Sequence, residues 1–149
     1  MIDPRLRALE AALFAAEAPL TVQEVTAATG IDSPTAALEE LAQSGHRPPP
    51  ESLALLESVF GNSPFLARTA LREREFLSFL LAKGSRAALD EIIAVAKAAS
   101  ASPDVNSVMA MLRRARRQAA LAIAFADIGE IWNVDEVTRA LSEFADACV

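Results

Sequence analysis

Four arginines stand within five positions of this chain, at Arg113, Arg114, Arg116 and Arg117. A guanidinium group binds phosphate or carboxylate with two parallel hydrogen bonds, so such a cluster is suited to an anionic ligand or an acidic partner surface. On a helix the four side chains would cover most of one face. Two interpretations stay open: a contact surface for a partner or phosphate, or arginines that are solvated or paired within the chain.

Three other residues could take part in chemistry, but the sequence does not supply the neighbouring groups that each would need. His46 is the single histidine and lies in a proline-rich stretch. We therefore predict that it is a solvated residue and that it forms no metal site. Cys148 has no histidine near it in sequence, which favours a semi-buried helix residue over a nucleophile. Asp127 follows an apolar helical stretch, where it could be buried and paired with Arg139 or could simply occupy a helix end.

The sequence carries no recognised phosphate-binding glycine motif, neither G-x-x-x-x-G-K-[ST] nor G-x-G-x-x-G. We therefore predict no catalytic, cofactor-binding or metal-binding residue in this chain. The formal net charge of −6 argues against a general nucleic-acid binder, because phosphate affinity requires clustered cations.

Helical periodicity and capping signals predict the elements that would position these residues. Ser63-Pro64 and Asn133 with Glu136 are helix starts, Gly84 and Gly129 are helix ends, and a long helix is predicted from about residue 104 to 128. The last helix is predicted to have Val137, Leu141 and Phe144 on its inner face. The fold class is all-α, with no sheet.

The run SGHRPPP is incompatible with regular helix and suggests an internal boundary. We predict a small helical unit over residues 1–45, a proline-rich linker over 46–50 and a helical bundle over 51–149. Residues 19–45 have helix-turn-helix proportions, but the second helix carries Glu39 and Glu40 and no cation, which argues against major-groove reading. No signal peptide or membrane span is predicted, so the expected location is cytoplasmic.

Two segments resemble known families. The run LLESVFGNSPFLARTALRE, together with LRRARRQAALAIAFADIGEIWNVDEVTRALSEFADACV, is similar to the N-terminal helical region of the bifunctional glutamine synthetase adenylyltransferase/adenylyl-removing enzyme, over residues 53–149. More weakly, RLRALEAALFAAEAPLTVQEVTAATG, within residues 5–43, resembles the opening of the winged-helix segregation and condensation protein B family. SGHRPPP stands where that family's wing strands should come.

The first resemblance implies a part in AMP transfer to and from glutamine synthetase, with ATP and Mg²⁺ as cofactors of the full-length enzyme. It implies glutamine synthetase and a PII-type signalling protein as partners. Its catalytic centres combine a G-S with a D-x-D motif, and here GSR at 84–86 is followed by AALDEII without paired aspartates. We therefore expect a non-catalytic helical part, inactive alone. The alternative is a freestanding helical protein-interaction module, related to a chromosome segregation protein.

Overall fold

The structure is a computed structural model that describes residues 34–99 and 104–149. Within these ranges the chain forms seven α-helices and one 3₁₀ turn, and it contains no strand. The all-α prediction is thereby confirmed. The elements are α1 Pro34–Gln43, the 3₁₀ turn Pro50–Ser52, α2 Leu53–Asn62, α3 Pro64–Arg72, α4 Arg74–Lys83, α5 Ser85–Ala99, α6 Val105–Ile128 and α7 Val134–Ala147. The helices predicted in residues 1–33 lie outside the described residues.

Side chains accept hydrogen bonds from free backbone donors at the starts of α3, α6 and α7. The Ser63 Oγ accepts from the first turn of α3, and the Asp104 carboxylate accepts from the Ser107 N–H at 3.0 Å at the start of α6. At α7 the Asn133 Oδ1 accepts from the Glu136 N–H at 3.0 Å, and the Glu136 carboxylate accepts from the Asn133 N–H at 2.8 Å. This reciprocal capping box fixes where α7 begins.

Two glycines end helices for different physical reasons. Gly84 has a φ of 84°, in the left-handed region that is strained for other residues, and its N–H donates to the Leu80 carbonyl oxygen to close α4. Gly129 follows α6, where a Cβ atom would lie 2.7 Å from the Phe125 carbonyl oxygen. A side chain at residue 129 would therefore force a shift in the turn that follows α6.

The core is built around α6, which packs most extensively on α5 and also contacts α2, α3 and α7. Many of the buried positions in this pair of helices are alanines, including Ala88 and Ala96 on α5 and Ala115, Ala119 and Ala122 on α6. Small side chains let helix axes approach closely. The largest fully buried side chains of the described residues are Phe125, Leu41, Leu56, Leu77, Leu89, Ile92, Leu121 and Val59.

The described end of the predicted N-terminal unit packs on the helices that follow it. Helix α1 contacts α2 and α3, and its Ala37 and Leu41 are buried in the same hydrophobic cluster as Leu56 and Leu121. Residues 46–49 between them are neither helix nor strand. The division at residues 46–50 stays a prediction, because residues 1–33 are outside the described ranges. Within those ranges, no helix combines the length and apolar character needed to cross a bilayer.

The prediction for the inner face of α7 was wrong at Leu141. Ala140 and Ala147 are buried there, and Val137 and Phe144 pack partly against the core, but Leu141 is 54% exposed. Helix α7 contacts α5 and α6 on one side only, so periodicity alone placed the apolar stripe too broadly.

Alanine substitutions at one core leucine and at the exposed Leu141 test which of the two side chains is buried. We expect Leu121→Ala to lower the free energy of unfolding by about 2–5 kcal/mol, because it removes a fully buried side chain and leaves a cavity. Leu141→Ala should change it by less than about 0.5 kcal/mol. Urea unfolding followed by circular dichroism measures both, and equal losses would contradict the assigned core.

Candidate functional site

The most unusual side chain in the structure is a buried carboxylate between α3 and α4. Glu73 follows α3 seven residues after the buried Leu66, so two helical turns place it on the same inward face as Leu66 and Ala70. Its side chain is only 4% exposed. A carboxylate removed from water to this degree is stable only when cations and hydrogen-bond donors surround it.

Three side chains from the middle of α6 surround that carboxylate. Arg117 donates from Nε at 2.9 Å and from a terminal nitrogen at 2.7 Å, and both hydrogen bonds end on Glu73 Oε1. Arg114 Nε donates to Oε2 at 3.2 Å, and Gln118 Nε2 donates to Oε2 at 3.0 Å. Glu73, Arg114, Arg117 and Gln118 are called the Glu73 clamp below. The clamp attaches the α3–α4 junction to α6.

The charge state of Glu73 follows from these contacts. Burial by itself raises the pKa of the carboxyl group, because it penalises the charged form. The hydrogen bonds from Arg117 and Gln118, together with the positive charges of Arg117 and Arg114, outweigh that effect and hold the pKa of Glu73 below its usual range. Glu73 is therefore an anion at neutral pH and serves as a structural counter-ion.

The structure divides the four predicted arginines into two pairs. Arg114 and Arg117 point to the Glu73 clamp, whereas Arg113 and Arg116 are exposed on another side of α6. Within the described ranges, Arg113 and Arg116 form no salt bridge. The proposed role of the cluster in binding a partner or phosphate stays a prediction, and for it Arg113 and Arg116 are the available pair.

Arg113 and Arg116 stand at the edge of an open groove between α6 and α7, with a volume of about 600 Å³. The groove is almost wholly apolar, and its larger side chains are Met109, Leu112, Ile123, Leu141, Phe144 and Cys148. A second, smaller groove of about 390 Å³ continues from the same two arginines to Phe65 and Arg117. The arginine pair thus lies between an apolar groove and an aromatic side chain that is 48% exposed.

The remaining candidate residues of the sequence are placed as follows. The His46 ring is partly buried, and its Nδ1 donates to the Ser44 carbonyl oxygen at 3.0 Å. Cys148 is partly buried at the end of the groove, and burial raises the pKa of its thiol, which keeps it protonated. Asp127 and Arg139 are both exposed, and no salt bridge joins them among the described residues, so a buried pair is wrong. Asp127 lies in the last turn of α6, on its solvent side.

The described residues do not form a site that fits a divalent metal. In the ranges 34–99 and 104–149, no three His, Cys, Asp or Glu side chains converge. The carboxylates that the structure engages have other roles. Glu73 holds two arginines, Asp104 and Glu136 cap helices, and Asp90 and Glu143 pair with Arg86. No chemical step through ATP or Mg²⁺ is derived from these residues.

Comparison with known proteins assigns the segment that contains the Glu73 clamp and the grooves to a protein family. The chain belongs to the glutamate-ammonia ligase adenylyltransferase family, whose model matches residues 53–149. That range contains α2 to α7, the Glu73 clamp and both grooves. The match begins at residue 53, so the weaker resemblance of residues 5–43 stays a prediction.

Individual relatives agree with the family match. A bifunctional glutamine synthetase adenylyltransferase/adenylyl-removing enzyme from Caulobacter vibrioides is 38% identical over 92 residues, which are 62% of this chain and 9% of the relative. The enzyme of the same description from Rhizobium meliloti is 38% identical over 101 residues, 63% of this chain and 10% of the relative. This chain therefore spans about a tenth of the length of these relatives. No solved structure matches it.

Alanine substitutions at three arginines of α6 test the clamp. We expect Arg117→Ala to lower the free energy of unfolding by about 2–3 kcal/mol, because it removes two hydrogen bonds and one positive charge from a buried carboxylate. Arg114→Ala should cost no more than about 1 kcal/mol, since its side chain is 59% exposed. Arg113→Ala, the matched control on the same helix, should change stability by less than about 0.5 kcal/mol. Three equal losses in urea unfolding would rule out the clamp.

Acid should weaken the protein partly through Glu73. Because the folded-state pKa of Glu73 is lowered, its contribution to stability is complete above the unfolded-state pKa and is lost as pH falls through the folded-state pKa. Between neutral pH and about pH 3, we expect the wild-type protein to lose more stability than Glu73→Gln. The difference between their free energies of unfolding should therefore become smaller. Urea unfolding at stepped pH measures this, and a constant difference would show that Glu73 does not titrate in this way.

Proposed function

We propose that this chain supplies a helical, non-catalytic part of a glutamine synthetase adenylyltransferase/adenylyl-removing enzyme. The family match over residues 53–149 carries the proposal. The non-catalytic role is supported by the way the segment uses its charged side chains, since its buried carboxylate is neutralised by Arg114 and Arg117 and is not free to hold a metal. AMP transfer requires carboxylates that bind divalent metal.

In this proposal the reaction is attachment of AMP to glutamine synthetase and its removal, and the present helices hold the enzyme's parts in position. ATP and Mg²⁺ bind elsewhere in the enzyme. Glutamine synthetase is the protein substrate, and a PII-type signalling protein is the regulatory partner. The location is the cytoplasm.

A chimera tests whether this segment can replace the matching segment of a family enzyme. The 149-residue chain replaces the matching segment of the C. vibrioides enzyme, and AMP transfer to glutamine synthetase is measured by intact-protein mass spectrometry. We expect the chimera to retain activity to within about tenfold, a barrier change of roughly 1.4 kcal/mol, because this chain is 38% identical to that enzyme over the 92 residues that match. The 149-residue chain alone, given ATP, Mg²⁺ and glutamine synthetase, should transfer no AMP.

A variant chimera controls for incorrect assembly. Arg117→Ala in the chimera should lower activity in parallel with its unfolding temperature, whereas Lys83→Ala, at an exposed position of α4 that lines neither groove, should leave the unfolding temperature unchanged. A folded chimera that transfers no AMP would refute the proposed function, and AMP transfer by the chain alone would refute its non-catalytic role.

A further inference from the structure

We propose that the apolar groove between α6 and α7 is a docking site for an amphipathic helix, with carboxylates beside its apolar stripe, that belongs to the remainder of an adenylyltransferase chain. The inference rests on the proposed function and deepens it, because it assigns a contact surface and the chemistry of its occupant. The shape, the charge and the position of the groove each support one part of it.

The groove needs an apolar occupant. Met109 and Leu141 are 44% and 54% exposed in its walls, and Phe144 packs only partly against the core beneath. Exposed apolar side chains gathered in one concave surface mark interaction sites, whereas scattered ones do not. A volume of about 600 Å³ between two helices suits the apolar anchors of a third helix at positions i, i+3, i+4 and i+7.

The edge of the groove determines the charge of that occupant. Arg113 and Arg116 line it and form no salt bridge among the described residues. Their guanidinium groups would meet carboxylates on the flank of the docked helix, and such complementary charge fixes the orientation of a helix in its groove. The helix that fits therefore carries acidic residues beside its leucine or phenylalanine stripe.

The position of the groove indicates which protein supplies the helix. Its lining residues all fall between Met109 and Cys148, inside the segment that matches the family. The relatives are about ten times longer than the matched segment, so most of their chain remains to contact it. Residues 1–33 precede the match and are not shared in it, which makes them a poorer choice of occupant.

A second copy of this chain is also a poorer choice. In a twofold interface each groove would face the same surface of its partner. Arg113 and Arg116 of both copies would then meet across the interface, and like charges opposed in this way cost several kcal/mol. The charge that favours an acidic helix thus disfavours self-association through this face.

Chemical cross-linking in the chimera identifies the occupant. Arg116→Lys places an amine at the groove edge, and a carbodiimide joins it to any carboxylate in direct contact without adding a spacer. We expect mass spectrometry to find position 116 linked to an Asp or Glu of the C. vibrioides part. The native Lys83, which does not line the groove, is the internal control. Links from position 116 only to residues 1–33, or only between copies, would overturn the proposal.

Alkylation of Cys148 measures whether the groove is covered. The thiol lines the groove, so we expect it to react about tenfold more slowly in the chimera than in the 149-residue chain, as for a groove open about a tenth of the time. Leu141→Glu should restore the fast reaction, because its carboxylate would oppose those of the docked helix. The matched change Val95→Glu, at an exposed position of α5 outside the groove, should not.

The two proposals fail in different ways. An active chimera in which Cys148 reacts as fast as in the separate chain would overturn the docking site and leave the proposed function intact. An inactive chimera in which Cys148 is protected and position 116 is cross-linked would overturn the proposed function and support the docking site.

Discussion

The structure depends on the neutralisation of one buried carboxylate. Glu73 lies 41 to 45 residues along the chain from the side chains that hydrogen-bond to it. An unpaired carboxylate at that depth would cost several kcal/mol, so the α3–α4 junction reaches its native position only when α6 lies across it. The clamp is thus a condition on the tertiary arrangement, and apolar packing alone would not impose the same geometry.

The same contact fixes the rotation of α6 about its own axis. Successive residues of an α-helix are about 100° apart, so turning Arg114, Arg117 and Gln118 toward Glu73 turns Arg113 and Arg116 well away from it. They are thereby placed at the edge of the groove with α7. One arginine pair is used to assemble the fold, and the other is left for a partner, although the four are nearly adjacent in sequence.

The sequence was informative where the determinants are local. Ser63, Asn133 and Gly84 act within one turn of the helix ends that they define, and all three helix boundaries were predicted correctly. Glu73 was missed because, in LREREF, it looks like one charge in a solvated run. Its spacing of seven residues from Leu66 was the available signal. The partition of the arginines depends on which helix crosses α6, and no local pattern contains that information.

The apolar face of α7 was misjudged for a related reason. Periodicity identifies a stripe, but only the number of neighbouring helices decides how much of the stripe is covered. Leu141 belongs to the apolar stripe of α7, but its side chain is exposed. Its side chain therefore adds to the exposed apolar surface of the groove between α6 and α7.

The alanines buried where α5 and α6 pack make this contact tolerant of change in one direction only. Truncation can cost little stability at these positions, because an alanine side chain is a single methyl group. The residues concerned are Ala88, Ala115, Ala119 and Ala122. Enlargement is the more damaging change, because each added methylene must push apart two closely packed helices. Mutational drift at these positions is therefore expected to be limited by residue volume, since only side chains about as small as alanine fit there.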